Sequence, residues 1–185
     1  MIKSPLLAGL VCAAIFIGGP DPAQAQQTSP YAGEEQRAIK ALSDEKRRGL
    51  LEGAGLGYAR AAELNGWPGP LHALELQDTL SLTPAQVSRM EALRREMTAQ
   101  AVPLGRELIA AERALDLLFA SGRPSPEDVE AATARIAEIE GRLRAVHLVA
   151  HLRAAPVLTR HQTMLYARAR GYSDSQGHGP HSHGD

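Results

Sequence analysis

The chain has 185 residues, of which 44% are hydrophobic and 22% charged, so it is long enough to bury a core without disulfides or metals. Aromatic residues make up only 4%, which disfavours an all-β sandwich or barrel because strands are enriched in aromatic and β-branched side chains. A formal net charge of -1 argues against broad nucleic-acid binding and provides no general attraction to a membrane surface.

Residues 1–25 have the features of an export signal. Lys3 gives a positive start, residues 5–18 form an uncharged apolar run, and Ala23-Gln24-Ala25 matches an A-x-A cleavage site. The apolar run is short for a membrane span, and cleavage would remove Cys12, the single cysteine. We therefore expect a periplasmic protein with a cleaved signal peptide and no stable membrane insertion.

The predicted mature chain divides into three segments by composition and hydrophobic pattern. They are a helical extension over residues 26–70, a main helical domain over 71–172, and a disordered His-rich tail over 173–185. In the main domain, apolar residues recur at steps of three and four over residues 84–120 and again from Val129 to Ala150, which predicts two long amphipathic helices. We expect the two helices to pack as an antiparallel hairpin, with a kink at Pro103.

One short motif, L-T-x-x-Q, occurs twice, at the start of the first long helix and at the start of the last predicted helix. Its residues are Leu82, Thr83, Gln86, Leu158, Thr159 and Gln162. The threonine side chain at such an N-cap accepts a hydrogen bond from the third helical residue, whose glutamine side chain reaches back to the N-cap amide. Two such capping boxes also arise by chance. The predicted export signal, the all-helical pattern and the low cysteine content favour a shared meaning of the two motifs over chance.

In that context the paired motifs resemble those of the Spy/CpxP periplasmic proteins and their relatives, the periplasmic heavy-metal sensor and resistance proteins. The resemblance covers residues 71–172, including the stretch that follows the second motif, Met164 to Tyr172. It implies an all-α fold, a long kinked antiparallel helical hairpin with short flanking helices, usually as a homodimer. The extension over residues 26–70 and the near-neutral charge depart from the pattern, since the best-known chaperone member has a basic cradle.

The resemblance also implies a non-enzymatic role in one of two forms. In the first, the protein is an ATP-independent chaperone that binds unfolded envelope proteins and requires no cofactor. In the second, it is a heavy-metal sensor or resistance protein that binds Zn, Cu, Ni or Co and acts with a sensor or efflux component. No catalytic residue is predicted, because the glycine-rich run over residues 53–57 follows no strand and no nucleophile motif is present.

Two histidines in the second long helix are candidate metal ligands. His147 and His151 are four residues apart, on one helical face, which is a workable half-site for a divalent transition metal. A site needs further ligands, for which the candidates are His161, His72 and Glu75. The alternative is an ordinary polar helix face, exposed or at the edge of the helical seam. Leu148 replaces the glutamate of an H-E-x-x-H metalloprotease motif.

The C-terminal tail carries three more histidines, His178, His181 and His183. Such a composition is typical of a flexible metal-binding tract, because imidazoles on a mobile chain can converge on a transition metal. The alternative is a solvated tail without a role. The sequence leaves both interpretations open.

Overall fold

The computed structural model describes residues 29–172, so the predicted signal peptide and the tail lie outside the described residues. The tail histidines His178, His181 and His183 are therefore not placed. Residues 29–33 belong to a separate N-terminal unit, and the description below concerns residues 34–172.

The described residues form helices and no strand, which confirms the all-α class. The α-helices are α1 (Asp44–Glu52), α2 (Arg60–Glu63), α3 (Pro70–Glu75), α4 (Pro84–Ala120), α5 (Pro126–Ala154) and α6 (Arg160–Ala169). Two short 3₁₀ segments, Glu34–Gln36 and Ala155–Val157, accompany them. No helix in this part of the chain is both long and apolar enough to cross a membrane.

The two longest helices, α4 and α5, form the body of the molecule. Helix α4 continues through Pro103, although proline supplies no backbone donor at that position. Helix α5 lies antiparallel to α4, as two ion pairs between the helices show. Arg153 near the end of α5 pairs with Glu96 at 2.6 Å, and Arg135 earlier in α5 pairs with Glu107 at 2.9 Å. The apolar stripes of both helices therefore face one another.

The N-terminal segment shares the core of the long helices. Ile39, Leu42 and Leu50 are buried in one cluster with apolar residues of α4 and α5. Helix α1 approaches α4 closely at Gly105, where an added Cβ atom would overlap the carbonyl oxygen of Leu50. The part of the predicted extension that begins at Glu34 is thus packed against the two long helices.

A second apolar cluster closes the other end of the molecule. It joins the start of α4 to the end of α5 and to α6, and its buried side chains include Met90, Leu93, Leu158 and Tyr166. Ala73 of α3 is completely buried in the same cluster. This cluster brings the two L-T-x-x-Q motifs and the C-terminal end of α6 to one end of the long helices.

Candidate functional site

Both L-T-x-x-Q motifs form complete capping boxes. The Thr83 and Thr159 hydroxyl oxygens accept from the backbone N–H groups of Gln86 and Gln162, at 3.3 and 3.2 Å. In return, the backbone N–H groups of the two threonines donate to the glutamine Oε1 atoms, at 3.0 and 2.9 Å. Each motif therefore satisfies donors that a helix N-terminus leaves unpaired.

The two motifs are also hydrogen bonded to each other. Gln86 Nε2 donates to Gln162 Oε1 at 2.8 Å, and Gln162 Nε2 donates to Gln86 Oε1 at 3.1 Å. The same amides also donate to backbone carbonyls, Gln86 to Val157 at 2.8 Å and Gln162 to Leu80 at 3.2 Å. The two helix starts consequently form one connected unit. The sequence showed two copies of the motif but not this contact.

A cavity of about 560 Å³ lies where the N-terminal segment meets α4, α5 and the end of the chain beyond α6. The residues that line it include the predicted ligands His147 and His151, together with Glu63, Arg170 and Tyr172. The predicted histidine pair is therefore placed in the largest group of buried polar side chains in the described structure. We call this space the Glu63 cavity.

Glu63 accepts hydrogen bonds from three side chains at this cavity. Only 9% of the surface of Glu63 is exposed. Tyr166 Oη lies 2.9 Å from both carboxylate oxygens, Arg170 Nε donates at 2.9 Å, and Tyr172 Oη donates at 3.3 Å. Burial raises the pKa of Tyr166, and the negative Glu63 raises it further, so the phenol keeps the proton that it donates. Sequence reasoning missed Glu63, whose only signal is an acid directly between the apolar residues Ala62 and Leu64.

His151 is held by the loop that precedes α3. Its Nδ1 atom lies 2.8 Å from the Trp67 carbonyl oxygen, to which it donates, and 3.8 Å from Glu63 Oε2. Its Nε2 atom packs against Gly69, where an added Cβ atom would lie only 2.6 Å away. The Nδ1 atom is therefore held by a hydrogen bond, and glycine at position 69 leaves the room that the Nε2 side of the ring needs.

His147 is the most buried polar side chain of the cavity, at 2% exposure. Its ring stacks on Tyr58 with 5.7 Å between centroids, and its Nε2 atom has no hydrogen-bond partner among the described residues. Burial lowers the pKa of His147, and the neighbouring His151 lowers it further, so the imidazole is neutral at neutral pH. A neutral ring is compatible with metal ligation or with a hydrogen bond.

The expectation that His147 and His151 lie on an exposed or seam-edge face is wrong. Both residues are buried, because Tyr58 and the loop through Trp67 and Gly69 cover this side of α5. The spacing of residues within α5 placed the two histidines on one face correctly. It could not indicate that a segment about 80–90 residues earlier in the chain would cover that face.

The candidate third ligands are placed differently. His72 lines the Glu63 cavity, but its Nδ1 atom pairs with Glu75 Oε2 at 2.8 Å. His161 is exposed on α6 and is not among the residues that line the cavity. Within residues 29–172, no three His, Cys, Asp or Glu side chains are grouped closely enough to hold a metal ion. A metal site at His147 and His151 therefore stays a prediction.

The structure defines a class of protein, an all-α protein built on two long packed helices with a buried polar cavity beside them. No family model, no curated protein and no solved structure matches this chain. The resemblance to the Spy/CpxP proteins therefore depends on the residues of the sequence alone.

Proposed function

We propose that this protein is a periplasmic, non-enzymatic member of the Spy/CpxP type that binds unfolded envelope proteins as an ATP-independent chaperone. The observation that carries the proposal is the reciprocal amide pair between Gln86 and Gln162. Two capping boxes that arose by chance would have no reason to meet. Because each glutamine serves both motifs, the repeated motif acts as one element of the fold. The kinked hairpin and the homodimer are parts of this proposal.

The proposed client surface lies along α4 and α5. Val149 and Leu152, three residues apart on α5, are 47% and 51% exposed. Val149 borders a groove of about 180 Å³ between the two helices, whose apolar lining includes Leu93, Met97 and Val146. Unfolded chains expose apolar side chains, and contact with this groove would remove both surfaces from water. We call Val149, Leu152 and this lining the α4–α5 groove.

Charges of both signs lie on the same two helices as the apolar groove. Arg153 lines it and pairs with Glu96, and Arg142 lies 3.6 Å from Glu107 further along the helices. Interleaved charges favour encounters with polar stretches of either sign and contribute little to tight binding. A client can therefore be bound weakly and released without an energy source.

Light scattering from a reduced, aggregating client such as α-lactalbumin tests the proposal. A chain starting at Gln26 contains no cysteine, so the reductant leaves it unchanged. We expect suppression of aggregation, and we expect the double variant Val149→Ser/Leu152→Ser to lose most of it. The control Leu117→Ser/Phe119→Ser removes a somewhat more exposed apolar pair, 61% and 57% exposed, outside the groove and should keep the activity. Absence of suppression at about tenfold molar excess contradicts the proposal.

Binding of a divalent transition metal stays the alternative prediction. Calorimetric titration with Zn²⁺ tests it on the chain from Gln26 to the C-terminus and on a chain that ends at Tyr172. If His147 and His151 are ligands, His147→Ala/His151→Ala abolishes the heat in both chains. If only the longer chain binds, the ligands are the tail histidines. Unchanged binding in the double variant contradicts the predicted site.

A further inference from the structure

We propose that the Glu63 cavity is a binding site for a small amphipathic organic anion, a molecule with an apolar body and one carboxylate-like group. This proposal does not depend on the chaperone proposal. The cavity volume of about 560 Å³ lies within the range of roughly 300–1,000 Å³ that is typical of small-molecule sites. Such sites combine mostly apolar walls with a few polar groups, and the Glu63 cavity has both.

The walls suit an apolar body. Leu56, Leu64, Leu71 and Met97 line the cavity, and the backbone of the glycine-rich run over residues 53–57 forms one side. Gly53 at the start of this run is buried, whereas Gly55 is exposed at the mouth of the cavity. Apolar atoms of a ligand in contact with these walls would be removed from water.

The charges that line the cavity favour a single negative charge on the ligand. Glu63 is balanced by Arg170, whose Nε atom lies 2.9 Å from its carboxylate. Arg60 and Arg94 also line the cavity, and neither has an ion pair to a carboxylate of the described chain. The one remaining acid in the lining is Glu52. Arg60 and Arg94 carry two positive charges and Glu52 carries one negative charge, so the lining has an excess of one positive charge.

The lining of the cavity also contains buried polar side chains. Glu63, His147 and His151 are all at most 9% exposed and are among the residues that line it. The His147 Nε2 atom itself is closed off from solvent and has no hydrogen-bond partner in residues 29–172, so the charged group of a ligand would meet Arg60 and Arg94 instead. The cavity thus combines buried polar side chains, apolar walls and two arginines without an ion pair in that part of the chain.

Isothermal titration of the chain from Gln26 with decanoate, below its micelle concentration, tests the proposal. We expect one decanoate per chain, weaker binding of decylamine, and no measurable heat with acetate or inorganic phosphate. The double variant Arg60→Gln/Arg94→Gln should weaken decanoate binding by about tenfold or more. The control Arg89→Gln/Arg106→Gln removes the same charge from exposed positions of α4 that do not line the cavity and should bind normally.

Several results would overturn the proposal. These are no decanoate binding up to about 1 mM, equal binding of decylamine, or unchanged affinity in Arg60→Gln/Arg94→Gln. Binding of inorganic phosphate as tight as that of decanoate would identify a simple charge site. Loss of decanoate binding in Val149→Ser/Leu152→Ser, with normal binding in the arginine variant, would place the ligand in the α4–α5 groove.

Discussion

At the scale of single residues, His147 shows how burial changes the chemistry of a side chain. An imidazole on a helix surface titrates near 6.5, whereas burial and the neighbouring His151 lower the pKa of His147. The ring is therefore held neutral, stacked on Tyr58, with one nitrogen unpaired in the described structure. Because the fold holds this ring neutral, the free energy of unfolding depends on pH.

We expect the protein to lose stability through His147 as the solution becomes acidic. The unfolded chain binds a proton at this side chain near pH 6.5, and the folded chain binds it only at lower pH. The contribution of His147 to the free energy of unfolding is therefore complete above pH 6.5. It is lost as the pH falls from 6.5 towards the lowered pKa of the folded state. Urea unfolding of the native chain and of His147→Gln, at pH values above and below 6.5, measures this loss of stability.

The exposed His161 supplies the control for this measurement. His161→Gln should retain the pH dependence of the native chain, whereas His147→Gln should show a shallower decline. Identical pH profiles for the native chain and His147→Gln would mean that the folded state does not hold this ring neutral.

At the scale of elements, two glycines in the long helices have opposite roles. Gly105 lies where α1 crosses α4, and an added Cβ atom there would overlap the Leu50 carbonyl oxygen. Gly141 lies in α5, and a Cβ atom there would meet nothing within 4 Å. Glycine is unfavourable inside a helix unless close packing requires it. Position 105 meets this condition and position 141 does not.

Alanine at these two positions should therefore change stability in opposite directions. We expect Gly105→Ala to lower the free energy of unfolding by about 1–3 kcal/mol, because α1 must move away from α4. We expect Gly141→Ala to raise it by about 0.5–1 kcal/mol through helix propensity. Chemical denaturation of both variants measures the difference. Equal effects of the two substitutions would show that α1 does not approach α4 as described.

The Gln86–Gln162 contact makes a second prediction at this scale. Because the two amides share hydrogen bonds, Gln86→Ala and Gln162→Ala should be non-additive, with a coupling of about 0.5–1.5 kcal/mol in a double-mutant cycle. Gln162→Ala should cost more by itself, because Gln162 is only 8% exposed.

The control cycle combines Gln162→Ala with Gln100→Ala. Within residues 29–172, the Gln100 side chain donates only to the Glu96 carbonyl oxygen of its own helix. These two substitutions should be additive. Additivity of Gln86→Ala and Gln162→Ala as well would show that the motifs are independent capping boxes, and it would remove the main support for the proposed family.

At the scale of the whole molecule, Glu63 connects parts of the chain that are distant in sequence. It belongs to α2, yet its partners Tyr166, Arg170 and Tyr172 lie at or after α6, at sequence separations of 103 to 109 residues. His151 of α5 completes this group at 3.8 Å. The Glu63 carboxylate therefore connects α2 to the C-terminal end of the described chain through hydrogen bonds and an ion pair.

We expect Glu63→Ala to lower the free energy of unfolding by about 2–4 kcal/mol, because it leaves a partly buried guanidinium and a buried phenol without their acceptor. The matched control is Glu96→Ala, which removes an exposed partner of Arg153 and should cost less than about 1 kcal/mol. Denaturant unfolding compares the two. A Glu63→Ala cost as small as that of Glu96→Ala would contradict this connecting role.

The sequence by itself determined the two long helices and the starting points of α4 and α6. Capping at Thr83 and Thr159 depends on residues three positions away, and the apolar stripes of α4 and α5 repeat at three and four residues. Both effects are local, so the all-α class and the faces of the long helices could be predicted. Helix α4 also continues through Pro103, as the apolar pattern over residues 84–120 predicts, although proline lacks a backbone donor there.

Only the tertiary structure decided which distant residues meet. The Gln86–Gln162 pair, the burial of His147 and His151, and the Glu63 cavity join residues that are more than 70 positions apart. Periodicity assigns a residue to a face of its own helix but carries no information about which other segment will cover that face. The histidine pair on one face of α5 could therefore be named from the sequence, whereas its burial came from Tyr58 and the Trp67 loop, and the proximity of Glu63 to His151 came from the packing of α2 against α5.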